Sequence, residues 1–476
     1  MTRPSHRIPP PGRTRSWWLR DALALDPGEA CPPLSAPVRA DVVILGGGYT
    51  GMWTAYFLTE QDPGIRVVIL EADICGGGPS GRNGGFVLGL WDDLSTLVEL
   101  FGEQAALEIC RAAASSVRAI GDWCDGHGVD AWFTPAGCLQ VATTPSQDDV
   151  WRDSIELAVR LGVADRYREL SHDDVRRRCR SPVFRAGTFT PDAATVHPAR
   201  LARGLRRVLL ERGVRIFEGT PVRRFRGGRS AVAETDRGSV AAEHVIVGLN
   251  AWAAGLSAFG RSLVAWSSYA VLTTPAPTLL EEIGWTGGEC LTDFRTSVRY
   301  LRTTVDGRVL AGGGGGGAGG GRRIGRMFTH DHAAVTSAAE GLWRLFPAFQ
   351  GVPIEDAWGG PIDVSATHLP YVGTMPSGNV HYALGYTGNG VGPSHLAGRA
   401  LAALSTKRDD PVLGLPLVGM RPRRFPPEPF RSMGARLVRR AIVRSERSEE
   451  EGRTTDPLTT LVASLPRRMG FHLGPR

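Results

Sequence analysis

Val42-Val43-Ile44-Leu45-Gly46-Gly47-Gly48-Tyr49-Thr50-Gly51 is the stretch whose reading decides the fold, and a second apolar run over 66–70 closes on Glu71. A short apolar strand that runs into a glycine turn and then a helix opens a βαβ nucleotide-binding unit. Gly46 permits the tight turn, Gly48 lets the backbone approach a pyrophosphate, and Gly51 lets the helix pack on its strand. The helix expected over 51–58 aims free N–H groups and its positive dipole end at phosphates, with Tyr49 and Thr50 at the turn. Glu71, with Ala72 beside it, lies twenty residues past Gly51. A carboxylate there accepts hydrogen bonds from the hydroxyls of an adenosine ribose and repels a 2′-phosphate. Glycines after a strand often make only a turn. Here strand, turn, helix, second strand and terminal acid follow in order, as the unit requires.

Nine residues after Glu71 comes a second glycine turn, Ser80-Gly81-Arg82-Asn83-Gly84-Gly85. A single dinucleotide pyrophosphate has no use for two such loops unless the cofactor is long. An NAD-dependent dehydrogenase explains 46–71 and leaves the second turn unemployed.

The chain has 476 residues, too many for one core, so two or more domains are expected. No apolar stretch in 1–37 reaches the length of a signal peptide or membrane span, and the default expectation is a cytoplasmic protein with no transmembrane segment. Seven scattered cysteines, none spaced C-x-x-C, read as reduced structural thiols and give no metal site. Much of the net charge of +7 sits after Met420. A solvated basic tail accounts for it, and no nucleic-acid partner is expected. Lys407 is the only lysine.

Helical spacing appears over 94–121, 150–161, 199–212, 333–345 and 394–404. Strand-like pieces lie at 139–142, 187–190, 214–218, 220–225 and 244–248, then 269–274, 298–304 and 380–385. The glycine run 312–321 lacks the Gly-Lys-Ser/Thr ending of a P-loop and reads as a surface or sheet-edge loop. These segments divide into an N-terminal extension, 1–38; a nucleotide domain in three pieces, 39–91, 196–258 and 353–406; a substrate domain, 92–195 and 259–352; and a basic Pro/Arg-rich tail, 407–476. For the tail, docking on the body, disorder and membrane-surface contact are all open.

The ordered motifs Gly46 to Gly51 with Glu71, Ser80 to Gly85, Val196-His197-Pro198, Val245-Ile246-Val247 with Asn250-Ala251-Trp252, and Gly385-Tyr386-Thr387-Gly388-Asn389-Gly390 resemble the flavoprotein amine and amino-acid oxidases of the D-amino-acid oxidase type. The likeness spans roughly 40–405. In motifs it is closest to the gamma-glutamylputrescine oxidase group and the aminophosphonate oxidoreductases, through Ser80 to Gly85, Trp358-Gly359-Gly360-Pro361-Ile362-Asp363 and Gly385 to Gly392. The resemblance implies an α/β fold, a discontinuous Rossmann-like FAD-binding domain plus an α+β substrate domain with a mainly antiparallel sheet. It also implies an FAD enzyme, with the FAD expected to be noncovalent for want of a cysteine at the attachment point given below. Ser80, Arg82 and Asn83 then serve the pyrophosphate and ribityl chain, Val222 the adenine, and Asn250 and Trp252 a strand end beside the cofactor. A helix starting near Val391 directs its dipole at the flavin N1 and C2 carbonyl, after the turn with Gly385, Gly388, Asn389 and Gly390.

The expected reaction takes a small-molecule primary or secondary amine, or an amino-acid-like amine, to an imine by hydride transfer to flavin N5, followed by hydrolysis. Positioning and desolvation suffice, with no obligatory strong base. Pocket candidates are Trp266, Tyr269, Arg299, Arg302 and Trp358, with Tyr300 and His368 the preferred catalytic pair. Sarcosine oxidases, which this chain resembles, use a lysine near the flavin to promote reaction with oxygen. Lys407 is misplaced for that role, so oxygen or another electron acceptor stays open. No cysteine lies from Leu291 onward, where the sarcosine oxidase flavin attachment falls. A non-catalytic flavin-fold binding protein is the alternative of a different class. Oligomeric state is not legible in the sequence.

Overall fold

The computed structural model describes residues 15–313, 316–317 and 324–472. Val42–Leu45 lies inside a six-stranded sheet ordered Tyr371–Thr374, Val380–Leu384, His244–Val247, Val42–Leu45, Val67–Leu70 and Arg215–Phe217. Every pairing is parallel except that of the edge strand Tyr371–Thr374. All four residues of Val42–Leu45 and of Val67–Leu70 are buried. That is why these runs are continuously apolar: a parallel strand covered on both faces has no solvent side on which to place polar residues. Helix Tyr49–Gln61 crosses Val391–Thr406 closely at Gly398, where a Cβ would stand 2.6 Å from the Trp53 Cβ. A four-stranded sheet of Val38–Arg39, Ser239–Ala242, Ala231–Thr235 and Val222–Arg226 flanks this domain.

The larger sheet has eight strands, ordered Ile354–Val364, Val264–Thr273, Val309–Gly313, Arg299–Thr303, Cys290–Asp293, Cys138–Val141, Gly187–Thr190 and Arg168–Leu170. It is antiparallel apart from the pairing of Cys290–Asp293 with Cys138–Val141. The fold class is thus the expected α/β arrangement with a mainly antiparallel second sheet. The expected restart of the nucleotide domain at 353 differs: Ile354–Val364 pairs along its length with Val264–Thr273 in the larger sheet, and the six-stranded sheet is rejoined at Tyr371–Thr374.

Three further features concern single helices and the two ends of the chain. The helix expected over 94–121 is two helices, Leu94–Phe101 and Glu103–Gly126, broken at Gly102 with φ +81°. The N-terminal extension contributes helix Trp17–Leu25, capped by Ser16, whose Trp18 is fully buried against His197 and Trp358. The tail docks on the body as helices Phe430–Glu450 and Pro457–Arg468, with Glu446 buried. Of the glycine run 312–321, Gly312 and Gly313 end a strand and Gly316 and Gly317 follow, while 314–315 and 318–321 lie outside the described residues. Among the described residues no helix is long and apolar enough to cross a membrane.

Candidate active site

A cavity of about 1500 Å³ opens where the parallel strands end and reaches across to the eight-stranded sheet. It exceeds the roughly 300–1,000 Å³ of a pocket for one drug-sized ligand, so a long cofactor and a small substrate fit together. The first glycine turn lines it through Gly46, Gly48, Tyr49 and Thr50, and Glu71 and Ala72 follow at the end of the next strand. Ser80, Arg82, Asn83 and Gly84 line it from the second turn. Val222, Asn250 and Trp252 come from the second segment, and Gly388, Asn389, Gly390 and Val391 from the last.

Four glycines expected at the cofactor do not line the cavity, and their role is steric. A Cβ would lie 2.1 Å from the Gly46 carbonyl oxygen at Gly51, 2.3 Å from the Gly76 oxygen at Gly81, and 2.2 Å from the Val196 oxygen at Gly85. Gly385 has φ +83°, a left-handed backbone that glycine adopts at no steric cost.

The cradle is braced by its own side chains. Ser80 Oγ accepts from the Tyr49 N–H at 2.9 Å, joining the second turn to the first helix. Asn83 Nδ2 donates to the Pro79 and Ser80 carbonyls, and its Oδ1 accepts from the Gly85 N–H, so this side chain shapes the loop. The Glu71 carboxylate accepts from the Gly47 N–H at 2.7 Å and the Asp73 N–H at 2.9 Å, and burial raises its pKa. It therefore fixes the first turn as well as facing the cavity. Helix Val391–Thr406 starts with Gly390 as its N-cap, so its positive end opens on the cavity.

Tyr300 and His368 both line the cavity. The Tyr300 hydroxyl sits 3.1 Å from that of Ser268, and its ring meets Phe86 edge-on at 5.6 Å. The ring needs the bare backbone of Gly312, where a Cβ would lie 2.2 Å from its Cζ. Burial lowers the His368 pKa to about 4, leaving a neutral imidazole at neutral pH. Trp266 and Trp358 also line the cavity, and Trp358 Nε1 donates to the Arg82 carbonyl at 2.8 Å.

The other pocket candidates are corrected. Tyr269 is core, its hydroxyl donating to the Met327 carbonyl at 2.6 Å. Arg299 turns to Glu450 at 2.6 Å, and Arg302 is buried with its donors on the carbonyls of Gly85, Val196 and Thr303. Neither has its fork free for a substrate anion.

Sequence reasoning passed over Asp363 except as part of a motif. Its carboxylate accepts from Asn250 Nδ2 at 2.8 Å and from the Gly385 N–H at 2.5 Å, joining the second and third segments, and burial lifts its pKa to about 7. Asn250, His368 and Thr387 have φ of +45°, +58° and +51°. Such non-glycine strain gathers where surrounding structure holds a functional site in shape. Asp92 and Asp93 also face the cavity. None of the seven cysteines lines it, and Lys407 caps the far end of helix Val391–Thr406.

The FAD-dependent oxidoreductase family known as DAO matches residues 41–404. The chain belongs to that family. It is 28% identical over 418 residues to gamma-glutamylputrescine oxidoreductase of Escherichia coli strain K12, covering 84% of this chain and 92% of that protein. A probable oxidoreductase, OrdL, of Rhizobium meliloti is 29% identical over 389 residues, 79% of this chain and 85% of that one. Among solved structures, glycine oxidase of Geobacillus kaustophilus superposes with a TM-score of 0.65 at 22% identity, over 81% of this chain and 99% of the other. The protein is an FAD-dependent oxidoreductase, and the cradle fits that cofactor: two glycine turns stripped of Cβ atoms, a terminal carboxylate and a helix N-terminus share one long cavity.

Proposed function

We propose that this enzyme oxidises a primary or secondary amine to an imine, which water converts to a carbonyl compound and a released amine or ammonia. The observation that carries the reading is that the helix N-terminus at Val391 and the side chains of Tyr300, His368, Trp266 and Trp358 line one and the same cavity. FAD, when bound, supplies the acceptor of the hydride lost from the carbon next to nitrogen. The positive end of helix Val391–Thr406 favours the negative charge that arrives with the electrons, an electrostatic contribution. Trp266 excludes water and holds the amine, backed by the buried Trp358. The neutral His368 accepts a hydrogen bond without adding a cation that would repel a protonated amine on arrival. Tyr300, its pKa raised by burial, stays a neutral phenol and a hydrogen-bond partner.

Noncovalent cofactor is part of this reading, because no cysteine reaches the cavity. So is an open choice of acceptor, because Lys407 lies at the wrong end of its helix. The named activity of gamma-glutamylputrescine oxidoreductase supports an amine as substrate. The test incubates purified holoenzyme with polyamines, gamma-glutamyl amines, aminophosphonates and N-methyl amino acids, and assays carbonyl product under air and with an artificial acceptor. Carbonyl release from one class is the expected result. Retained flavin with no carbonyl from any class under either condition contradicts it.

A further inference from the structure

The chain beyond the family match at 404 is not an appendage, because it is tied to the body at both ends of a strap across the cavity. At one end, Phe425 N–H donates to the Arg261 carbonyl at 2.6 Å, Arg431 Nη1 donates to the Gly260 carbonyl at 2.7 Å, and His472 N–H donates to the Ala366 carbonyl at 3.0 Å. At the other end, Glu446 accepts from Arg295 Nη2 at 2.7 Å and from the Ser297 N–H at 2.8 Å. Glu450 stands 2.6 Å from Arg299 and 3.0 Å from Arg295. Ser297 and its neighbour Val298 line the cavity just before Tyr300, so the clasp sits beside the proposed catalytic wall.

Between those anchors the strap turns mainly apolar side chains to the cavity, Leu437, Val438, Ile442 and Val443 from the first helix and Leu465 and Met469 from the second, with Arg431 and Arg439 of the first helix beside them. Leu437 is 55% exposed and Met469 53%, so this surface is not consumed by the protein core. Apolar surface left open on a rigidly held element, continuous with a reaction site, marks the seat of an apolar ligand group.

We propose that the carboxy-terminal strap is the selectivity wall of the substrate cavity, and that it admits amines whose non-reacting end is extended and apolar. The proposal rests on the amine-oxidation reading and adds to it the class of amine. Leu437 and Ile442 touch the apolar end, while Glu446 positions the strap through Arg295 and acts only through it.

The experiment measures kcat/KM for the holoenzyme with linear alkylamines of increasing length. Each methylene laid against the strap is expected to raise kcat/KM about four-fold until the wall is filled. Leu437→Ser and Ile442→Ser flatten that slope with flavin content retained, and the milder Leu437→Ala carries the test if either fails to hold flavin. Glu446→Gln raises KM for long amines more than for short ones and leaves kcat little changed. A wild-type slope that is flat, or one that the strap variants leave unaltered, overturns the proposal while the enzyme still turns over amines. No turnover of any amine by flavin-loaded wild-type protein overturns the amine reading, and the strap proposal with it.

Discussion

Glu71 carries two duties in one carboxylate, bracing the Gly47 and Asp73 amides and facing the cavity at the adenosine end. Glu71→Ala is expected to weaken FAD binding by roughly ten- to a hundred-fold, since a hydrogen bond to a charged group contributes about 1.5–3 kcal/mol. Titration of the apoprotein with FAD checks it, and unchanged affinity means the adenosine end is held elsewhere. Asp363 gives a pH dependence of definite sign. Its folded pKa, lifted by burial to about 7, lies above the ordinary carboxylate value, so the folded state holds the proton more tightly. Its contribution to stability therefore falls as pH rises through that window, by at most about 1.4 kcal/mol per pH unit. The stability of wild type relative to Asp363→Asn, followed by urea unfolding at several pH values, should decline between about pH 5 and pH 7. A difference that is flat in pH contradicts the assignment. The glycines of the cradle were legible residue by residue because each turn needs a missing Cβ. Asp363 was not, because an acid gives no sign in sequence of whether it will be buried.

Helix Val391–Thr406 begins where the family resemblance placed it, three residues before the 394 that helical spacing alone marked. Val391→Asp places a negative charge at that positive end and is expected to slow flavin reduction by amine about ten-fold at constant flavin content, read by anaerobic rapid mixing. The strap was legible only as part of a basic Pro/Arg-rich tail. Its placement depends on Arg295 and Glu446, 151 residues apart, and no local pattern announces such a pairing. Breaking a buried ion pair from one side costs about 3–5 kcal/mol. Glu446→Ala should therefore loosen the strap and speed proteolytic cleavage within 430–468, while the nucleotide cradle stays intact by flavin content. Cleavage at the wild-type rate would show that the clasp does not hold it.

At the scale of the whole molecule, three separated segments make one mainly parallel sheet, and an inserted sheet of eight strands closes the other side of the cavity. The parallel part was readable from its continuous apolar runs. The long strand Ile354–Val364 was placed on the wrong side of a boundary, because its Gly359-Gly360-Pro361 centre does not look like a strand. There the bare backbone of Gly359 admits the Tyr269 ring, a contact visible only in three dimensions. The central claim is that the sheet ends, the Val391 helix and the strand with Tyr300 together make an amine-oxidising flavin site. Anaerobic mixing of purified protein with the amine panel, followed by absorbance of the flavin, tests it most directly. The account predicts a yellow protein whose oxidised flavin band bleaches with at least one amine. A colourless protein that releases no flavin on denaturation, or a flavin band that no amine bleaches, contradicts it.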